Sequence, residues 1–416
     1  MKKIFIIILI TVLGCVSAQS QRLLKDKIKS DKNQVEKSTD SLTISLVTFY
    51  PGGLEYELYG HAGIKVGFSN GAGIFYNYGV FDFDAPNFVY RFVKGETDYM
   101  LKGYSTDYML RGYSNRKVVE QILNLSQEQA RHAYEYLVNN ALPWNATYRY
   151  NYVLDNCSTR PRDIIEMATE GTLEYPAMSD TTTFREMMHR YNANYSWSQF
   201  GIDMALGSGL DREITYREQM FVPMVLMEAC AGATFVRDGE RVPLVKETVV
   251  LNDGDENGDV LPPTSWYVSP MFVTVLLLLI VILVSWHDIK CRSITRWFDT
   301  VLYGLMSLYG MLLFFLIFIS THEATSPNWN GVWMNPFYLF PAVLIWIKSA
   351  KKLLYCYHFA NFAVLIVLMA AWCGIPQTAN AAVFPLMLCP MLRSACYILI
   401  YRQKTKCEIK GEETGS

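Results

Sequence analysis

The sequence predicts an α+β exported domain followed by an all-α membrane domain of five transmembrane helices. Charge is the first reason. Over 416 residues only 18% are charged and the formal net charge is −2, whereas soluble domains average about 25% charged residues. The deficit is confined to one half: residues 1–265 hold 26 Lys and Arg against 33 Asp and Glu, and residues 266–416 hold 11 against 6. The second reason is a set of apolar stretches in the charge-poor half, and the third is a strand-and-turn pattern giving way to helices in the other. A uniformly soluble enzyme is excluded. The acidic polar half would repel phosphates, which argues against nucleic acid as a partner.

Met1-Lys2-Lys3 ahead of the apolar run Ile4–Leu13 forms a basic and then a short hydrophobic region, and Val16-Ser17-Ala18 supplies small residues for cleavage. Residues 1–18 therefore read as a secretory signal. Val12-Leu13-Gly14-Cys15 also resembles a lipobox, which leaves lipidation of Cys15 as the alternative. Residues 19–40 lack periodicity and read as a flexible lead-in. The exported domain is expected over 41–250. Thr43–Tyr50, Ala62–Phe68 and Ala72–Phe81 are rich in Ile, Val, Phe and Tyr and read as strands, with Arg116–Leu125 as another. Ser126-Gln127-Glu128-Gln129 is a capping-box pattern opening a helix to about Asn140. A second helix runs from about Arg160 into Ala168. Residues 98–105 and 107–114 are a near-repeat differing only at Lys102 and Arg111, expected on strand or loop. Two copies do not make a repeat architecture. Residues 251–266 read as a linker. Asp253-Gly254-Asp255-Glu256-Asn257-Gly258 resembles the start of a calcium loop, but the twelfth position is Thr264 and not an acid, so a solvated linker is the better reading and no metal is expected.

The membrane domain is expected over 267–401, with apolar stretches at about 267–286, 300–320, 333–347, 354–373 and 381–400. Four are near the ~20 residues a spanning helix needs. The third is short and contains Pro336 and Pro341, which predicts a kinked or partly re-entrant segment. Lys290, Arg292 and Arg296 follow the first stretch, Lys348, Lys351 and Lys352 the third, and the tail 402–416 carries Arg402, Lys404, Lys406 and Lys410. Loops 321–332 and 374–380 hold no Lys or Arg. The positive-inside rule then puts the polar half outside the cytoplasmic membrane and the C-terminus inside. Six of the nine cysteines lie beyond residue 266 and Cys15 falls in the expected signal, so in the exported domain only Cys157 and Cys230 remain, enough for one disulfide but no disulfide framework.

Chemistry concentrates at two places. His61 lies in Tyr59-Gly60-His61-Ala62-Gly63-Ile64, at a strand entry flanked by small residues that admit close approach, whereas His132 and His189 read as surface or cap residues. Cys157 lies in Asp155-Asn156-Cys157-Ser158-Thr159-Arg160-Pro161-Arg162. Pro161 is tolerated only in the first turn, which puts the helix cap at about Ser158 or Thr159 and the thiol at a helix N-terminus. A helix start with Arg160 and Arg162 nearby lowers a thiol pKa, and free N–H groups there hold a tetrahedral oxyanion. Asn156, Ser158 and Arg160 are thus oxyanion or supporting candidates. The plainer alternatives are a hydrogen-bonded structural histidine and a small buried hydrophobic cysteine.

A strand His followed about a hundred residues later by a helix-start Cys resembles the permuted papain-like fold of the lecithin:retinol acyltransferase and phospholipase/acyltransferase families, through His61-Ala62-Gly63-Ile64 and Asn156-Cys157. A fuller resemblance rests on Gly60-His61, Tyr76–Phe83, Asn156–Arg160, Phe200–Gly207 with Asp211-Arg212, and His322–Asn330. These look like the lipoprotein N-acyltransferase family of Bacteroidota, Lnb. The resemblance implies an NlpC-like, permuted papain-like domain that takes an acyl chain from a phospholipid as a Cys157 thioester. The chain then passes to the α-amine of a diacylglyceryl-lipoprotein, with His61 as base and no cofactor. Asn77 is expected to orient His61, with Asp82 behind it. His322, Asn328 and Trp329 on the outer 321–332 loop are candidates for substrate contact. Arg393 inside the last span is a candidate for a lipid phosphate or a structural partner. A membrane-anchored cell-wall amidase or cysteine peptidase would use the same pair, and a non-enzymatic envelope factor would not need it.

Overall fold

The computed structural model describes residues 41–82, 84–177, 180–254 and 262–414. The expected signal, the lead-in and most of the calcium-loop-like stretch lie outside the described residues. In the first half β1 (Leu42–Phe49), β2 (His61–Phe68), β3 (Gly73–Val80), β4 (Asp98–Ser105), β5 (Val118–Leu123), β6 (Thr147–Arg149) and β7 (Val245–Asn252) form one sheet in the order β7-β5-β1-β2-β3-β4-β6. Every pairing in it is antiparallel. Helices α1 (Phe88–Lys94), α2 (Thr106–Gly112), α3 (Gln127–Asn140), α4 (Thr159–Ala168), α5 (Phe184–Asn192), α6 (Ser196–Ala205) and α7 (Pro223–Gly232) surround it.

Strand alternation sorts the side chains into two layers. Ile44 and Leu46 of β1 and Ile64 and Val66 of β2 pack with Leu137 of α3, Ile165 of α4 and Leu226 of α7. On the other face Val47, Phe49 and Phe75 pack with Met109 of α2. The capping box holds: Gln129 N donates to Ser126 Oγ at 3.1 Å, and Ser126 N donates to Gln129 Oε1 at 3.0 Å. Cys230 is buried in the core, Cys157 is half-buried, and both are free, so no disulfide joins them.

The near-repeat splits into two conformations. Its first copy is β4, paired on both edges with β3 and β6. Its second copy becomes α2, because Ser105 stands at the N-cap and accepts from Tyr108 N, with Asp107 in the first turn. Tertiary pairing and a cap decide what nearly identical side chains do not.

In the second half α8 (Pro270–Cys291), α9 (Arg296–Phe318), α10 (Lys351–Ala371) and α11 (Val383–Thr414) supply, among the described residues, four helices long and apolar enough to cross a membrane. The third apolar stretch is not a fifth such helix. It is broken into Asn330–Trp333, Pro336–Tyr338 and Leu339–Leu344. Prolines 336 and 341 and the Asn335 cap interrupt the ladder, and α9 answers the freed carbonyls: Ser307 Oγ donates to Pro336 O and Thr300 Oγ1 to Ala342 O. These contacts lay the broken segment along α9, ending where Trp346 meets Trp297 with ring centroids 4.7 Å apart.

Candidate active site

β2 begins at His61 because Gly60 turns the chain at φ +78°, where a Cβ would sit 2.6 Å from Phe49 O. His61 pairs with Phe49 across the sheet, and its ring stacks parallel to Tyr113 with centroids 6.3 Å apart. Asn77 projects from β3, and its Oδ1 accepts from His61 Nε2 at 2.7 Å. An amide oxygen can only accept, so the ring carries its proton on Nε2 and leaves Nδ1 as the basic nitrogen. Asp82 is exposed in a turn, accepting from Asp84 N, so Asn77 is the residue that orients the ring.

Cys157 arrives from the N-terminal end of α4. Its sulfur meets the Ala62 N–H, the Tyr150 hydroxyl and its own N–H. The thiol therefore sits against the residue that follows His61. Gly79 of β3, at φ +92°, passes close by: a Cβ there would lie 3.8 Å from Cys157 Cβ and 3.6 Å from Tyr150 Cε2. Tyr150 was not evident from the sequence. The only trace was the alternation Tyr148, Tyr150, Tyr152 just ahead of the cysteine, an aromatic strand pattern that ordinarily signals packing.

The expected cap chemistry is redistributed. Ser158 is the N-cap by position, but its hydroxyl donates to Met220 O. Asn156 does the capping: its Oδ1 accepts from Ser158 N at 2.8 Å and Thr159 N at 2.9 Å, and its Nδ2 donates to Tyr152 O and Phe221 O. Asn156 and Ser158 hold the helix start and spend the amides that an oxyanion would need. The Cys157 N–H, the Ala62 N–H and the Tyr150 hydroxyl are the donors left at the sulfur. Arg160 is a supporting residue, paired bidentately with Asp155 and lying over the Tyr148 ring. Arg162 is tied to Asp163 and to Arg217 O.

These pairings overturn the expected low thiol pKa. Both cations are neutralised by acids, and burial pushes the Cys157 thiol up to about 11, outweighing the Ala62, Tyr150 and Cys157 donors that favour the thiolate. Burial likewise pulls His61 down to about 4, against the Asn77 hydrogen bond and with the Arg116 charge. Tyr150 is pushed well above the usual phenol range by burial and by the adjoining thiol, so its proton stays on. The resting pair is a neutral thiol beside a neutral imidazole.

The remaining candidates do not reach this site. His322 Nε2 donates to Phe92 O at 2.8 Å. Asn328 is buried and donates to Met204 O at 2.9 Å, and Trp329 N donates to Gln377 Oε1 at 2.8 Å. These three fasten the 321–332 loop to the first half and to the 374–380 loop. His322 and Trp329 stay partly exposed, and Asn328 is buried. Arg393 is fully buried, its guanidinium bonded to Asp288, Asp299 and Ser285, so no donor faces a lipid head group; of its two expected partners, the structural one is found.

The joint has a centre that sequence reasoning missed. Asp203 in α6 is 1% exposed and accepts from Arg185, His189 and Asn380. Asn330 and Asn328 donate to the carbonyls of Asp203 and Met204. His189, partly exposed in the last turn of α5, thus also serves the joint. Asp211 accepts from Arg185 and from Thr378 N.

Two family models match the chain. The one described as the Lnb N-terminal periplasmic domain covers residues 30–190, and the one described as the Lnb transmembrane domain covers residues 263–404. No curated protein and no solved structure matches it.

Proposed function

Because this chain belongs to the Lnb family, with a periplasmic N-terminal domain and a membrane domain, we propose that it is a lipoprotein N-acyltransferase. It moves a fatty acyl chain from a phospholipid to the α-amine of the lipidated N-terminal cysteine of a lipoprotein. The observation that carries the reading is the His61–Asn77 pair lying beside a thiol that receives the Tyr150 hydroxyl and the Ala62 N–H.

The neutral resting pair defines the order of events. As Sγ attacks the ester carbonyl, its proton passes to His61 Nδ1, and Asn77 stabilises the imidazolium through Nε2–H. The Cys157 N–H and the Tyr150 hydroxyl hold the oxyanion. Collapse breaks the ester C–O bond, His61 returns the proton to the leaving lysophospholipid, and the acyl chain remains as a thioester. A neutral α-amine then attacks the thioester carbon and His61 accepts its proton. The C–S bond breaks, and the thiolate is reprotonated by His61.

Both substrates keep their acyl chains in the bilayer, and the joint around Asp203 supports a thiol held at a fixed height above it. Lys290, Arg292, Arg296, Lys348, Lys351 and Lys352 lie at helix ends remote from the joint, which supports a cytoplasmic placement of those ends and of the C-terminus. The papain-like ancestry suggested by the His-then-Cys order belongs to the same proposal.

Mass spectrometry of lipoprotein N-termini tests it. Triacylated forms are expected with the wild type and diacylated forms with Cys157→Ala at equal protein level. Phospholipid supplied without acceptor should leave a hydroxylamine-sensitive acyl thioester on Cys157. Triacylated lipoproteins made by Cys157→Ala would sink the proposal. Cleavage of peptidoglycan stem peptides without a thioester would replace it with an amidase.

A further inference from the structure

The near-repeat at 98–105 and 107–114 has no part in the steps above, yet both copies converge beside the catalytic pair. A cleft of about 480 Å³ opens there, with Asn77, Phe81, Tyr104, Tyr108, Arg111 and Tyr113 among its walls. Tyr104 and Tyr113 hold the same place in the two copies, one on β4 and one just after α2. Lys102 and Arg111 are the other equivalent pair. Arg111 is the one charged side chain among the described residues lining the cleft. Lys102 stands directly opposite Asn77 in the β3–β4 register, which puts it on the same face. Both are exposed, and among the described residues neither has an ion-pair partner, although Asp107 lies one turn before Arg111 on α2.

Resting on the acyltransferase reading, we propose that this cleft is the donor subsite, in which Arg111, assisted by Lys102, receives the phosphate of the phospholipid head group. Guanidinium groups bind phosphate in a bidentate manner, and an uncompensated cation would repel the protonated α-amine of the acceptor. The cleft therefore suits the donor and disfavours the acceptor. Its position favours a lipid over a soluble phosphate. Phe81 in its wall stacks on Phe88 of α1 with centroids 5.8 Å apart, and Tyr90 of α1 lies 6.2 Å from Phe315 in the last turns of α9. The same short helix is fixed to the end of α9 by Thr321 N donating to Lys94 O, and it exposes Val89, Tyr90 and Phe92. An aromatic path thus joins the cleft to the level where a spanning helix leaves the bilayer.

The test uses the full-length protein in detergent micelles with a phosphatidylglycerol donor and a diacylated lipopeptide acceptor. Arg111→Gln should raise the apparent KM for donor roughly tenfold or more, the loss of a charge-assisted contact, with kcat much less affected. Arg111→Lys should fall between, and Lys102→Gln should deepen the defect of Arg111→Gln. Dioctanoyl phosphatidic acid should inhibit the wild type better than dioctanoylglycerol, and Arg111→Gln should erase that difference. An unchanged KM in Arg111→Gln overturns the assignment while leaving the acyltransferase reading intact, and equal defects for Lys and Gln make Arg111 merely structural. Inhibition by millimolar inorganic phosphate, lost in Arg111→Gln, would make the cleft a soluble-phosphate site and refute the lipid assignment. If the wild type transfers no acyl chain from any phospholipid, the acyltransferase reading fails and the subsite with it.

Discussion

The neutral resting pair can be tested by alkylating the thiol. With the Cys157 pKa pushed up to about 11 by burial, the thiolate at pH 7 amounts to about one part in ten thousand. An exposed cysteine of pKa ~8.5 holds about 3% thiolate at that pH, so Cys157 should react roughly 300-fold more slowly. His61, held down near 4, stays neutral from about pH 5 upward and offers no charge to stabilise a thiolate in that range. The alkylation rate should therefore climb about tenfold for each pH unit between 6 and 10, with no inflection near the usual histidine value. The assay is a time course with iodoacetamide at a series of pH values, reading the Cys157 peptide by mass spectrometry. Cys291, at the polar end of α8, serves as an internal reference. A rate independent of pH between 5 and 8 would mean a preformed thiolate–imidazolium pair, and the argument from burial would be wrong.

Three substitutions probe the rest. Asn77→Ala frees His61 Nε2 from its 2.7 Å contact and should lower kcat about 100-fold with the protein still folded, a typical general-base contribution; a wild-type rate would remove Asn77 from the mechanism. Tyr150→Phe removes one oxyanion donor and should cost about 10²–10³ in kcat with little change in donor KM, and a small effect would return the oxyanion to the Cys157 N–H alone. Arg393→Met strands Asp288 and Asp299 buried between the helices and should destabilise the fold by about 3–5 kcal/mol, whereas replacing all three by apolar residues of similar volume should cost far less. Unfolding in detergent separates the two, and equal losses would mean that Arg393 acts by something other than ion pairing.

The parts that could be read from the sequence were those governed by local signals. A strand entry flanked by small residues singled out His61, its neighbouring strand offered Asn77, and the polar cap with Pro161 located Cys157 at a helix start. What could not be read was the outcome of competition. Arg160 and Arg162 looked like cations available to the thiol, but sequence alone does not show that Asp155 and Asp163 neutralise them. Asn156 looked like one oxyanion candidate among several, but only the fold shows that it consumes two amides of the helix start. The near-repeat is the sharpest case. Its two copies differ only at Lys102 and Arg111, and a strand neighbour on each side of one copy against a serine cap on the other sends them to different secondary structures.

The joint gives a structural role to Phe200–Gly207, a stretch far from Cys157 in sequence. Phe200–Gly207 contains no group that could act on an ester, yet it contains Asp203, whose carboxylate and carbonyl bind Arg185, His189, Asn330 and Asn380. A domain on a flexible tether would have to recover the positional entropy of finding an ester at the bilayer surface in every cycle. Fixing the domain removes that search, and well-oriented reactions gain several kcal/mol from such pre-positioning. The buried carboxylate can do this because it is fully partnered, and in a low-dielectric joint each charge-assisted bond is strong and directional. His322, Asn328 and the backbone of Trp329 tie the 321–332 loop to Phe92, Met204 and Gln377, and so add to the fastening around Asp203.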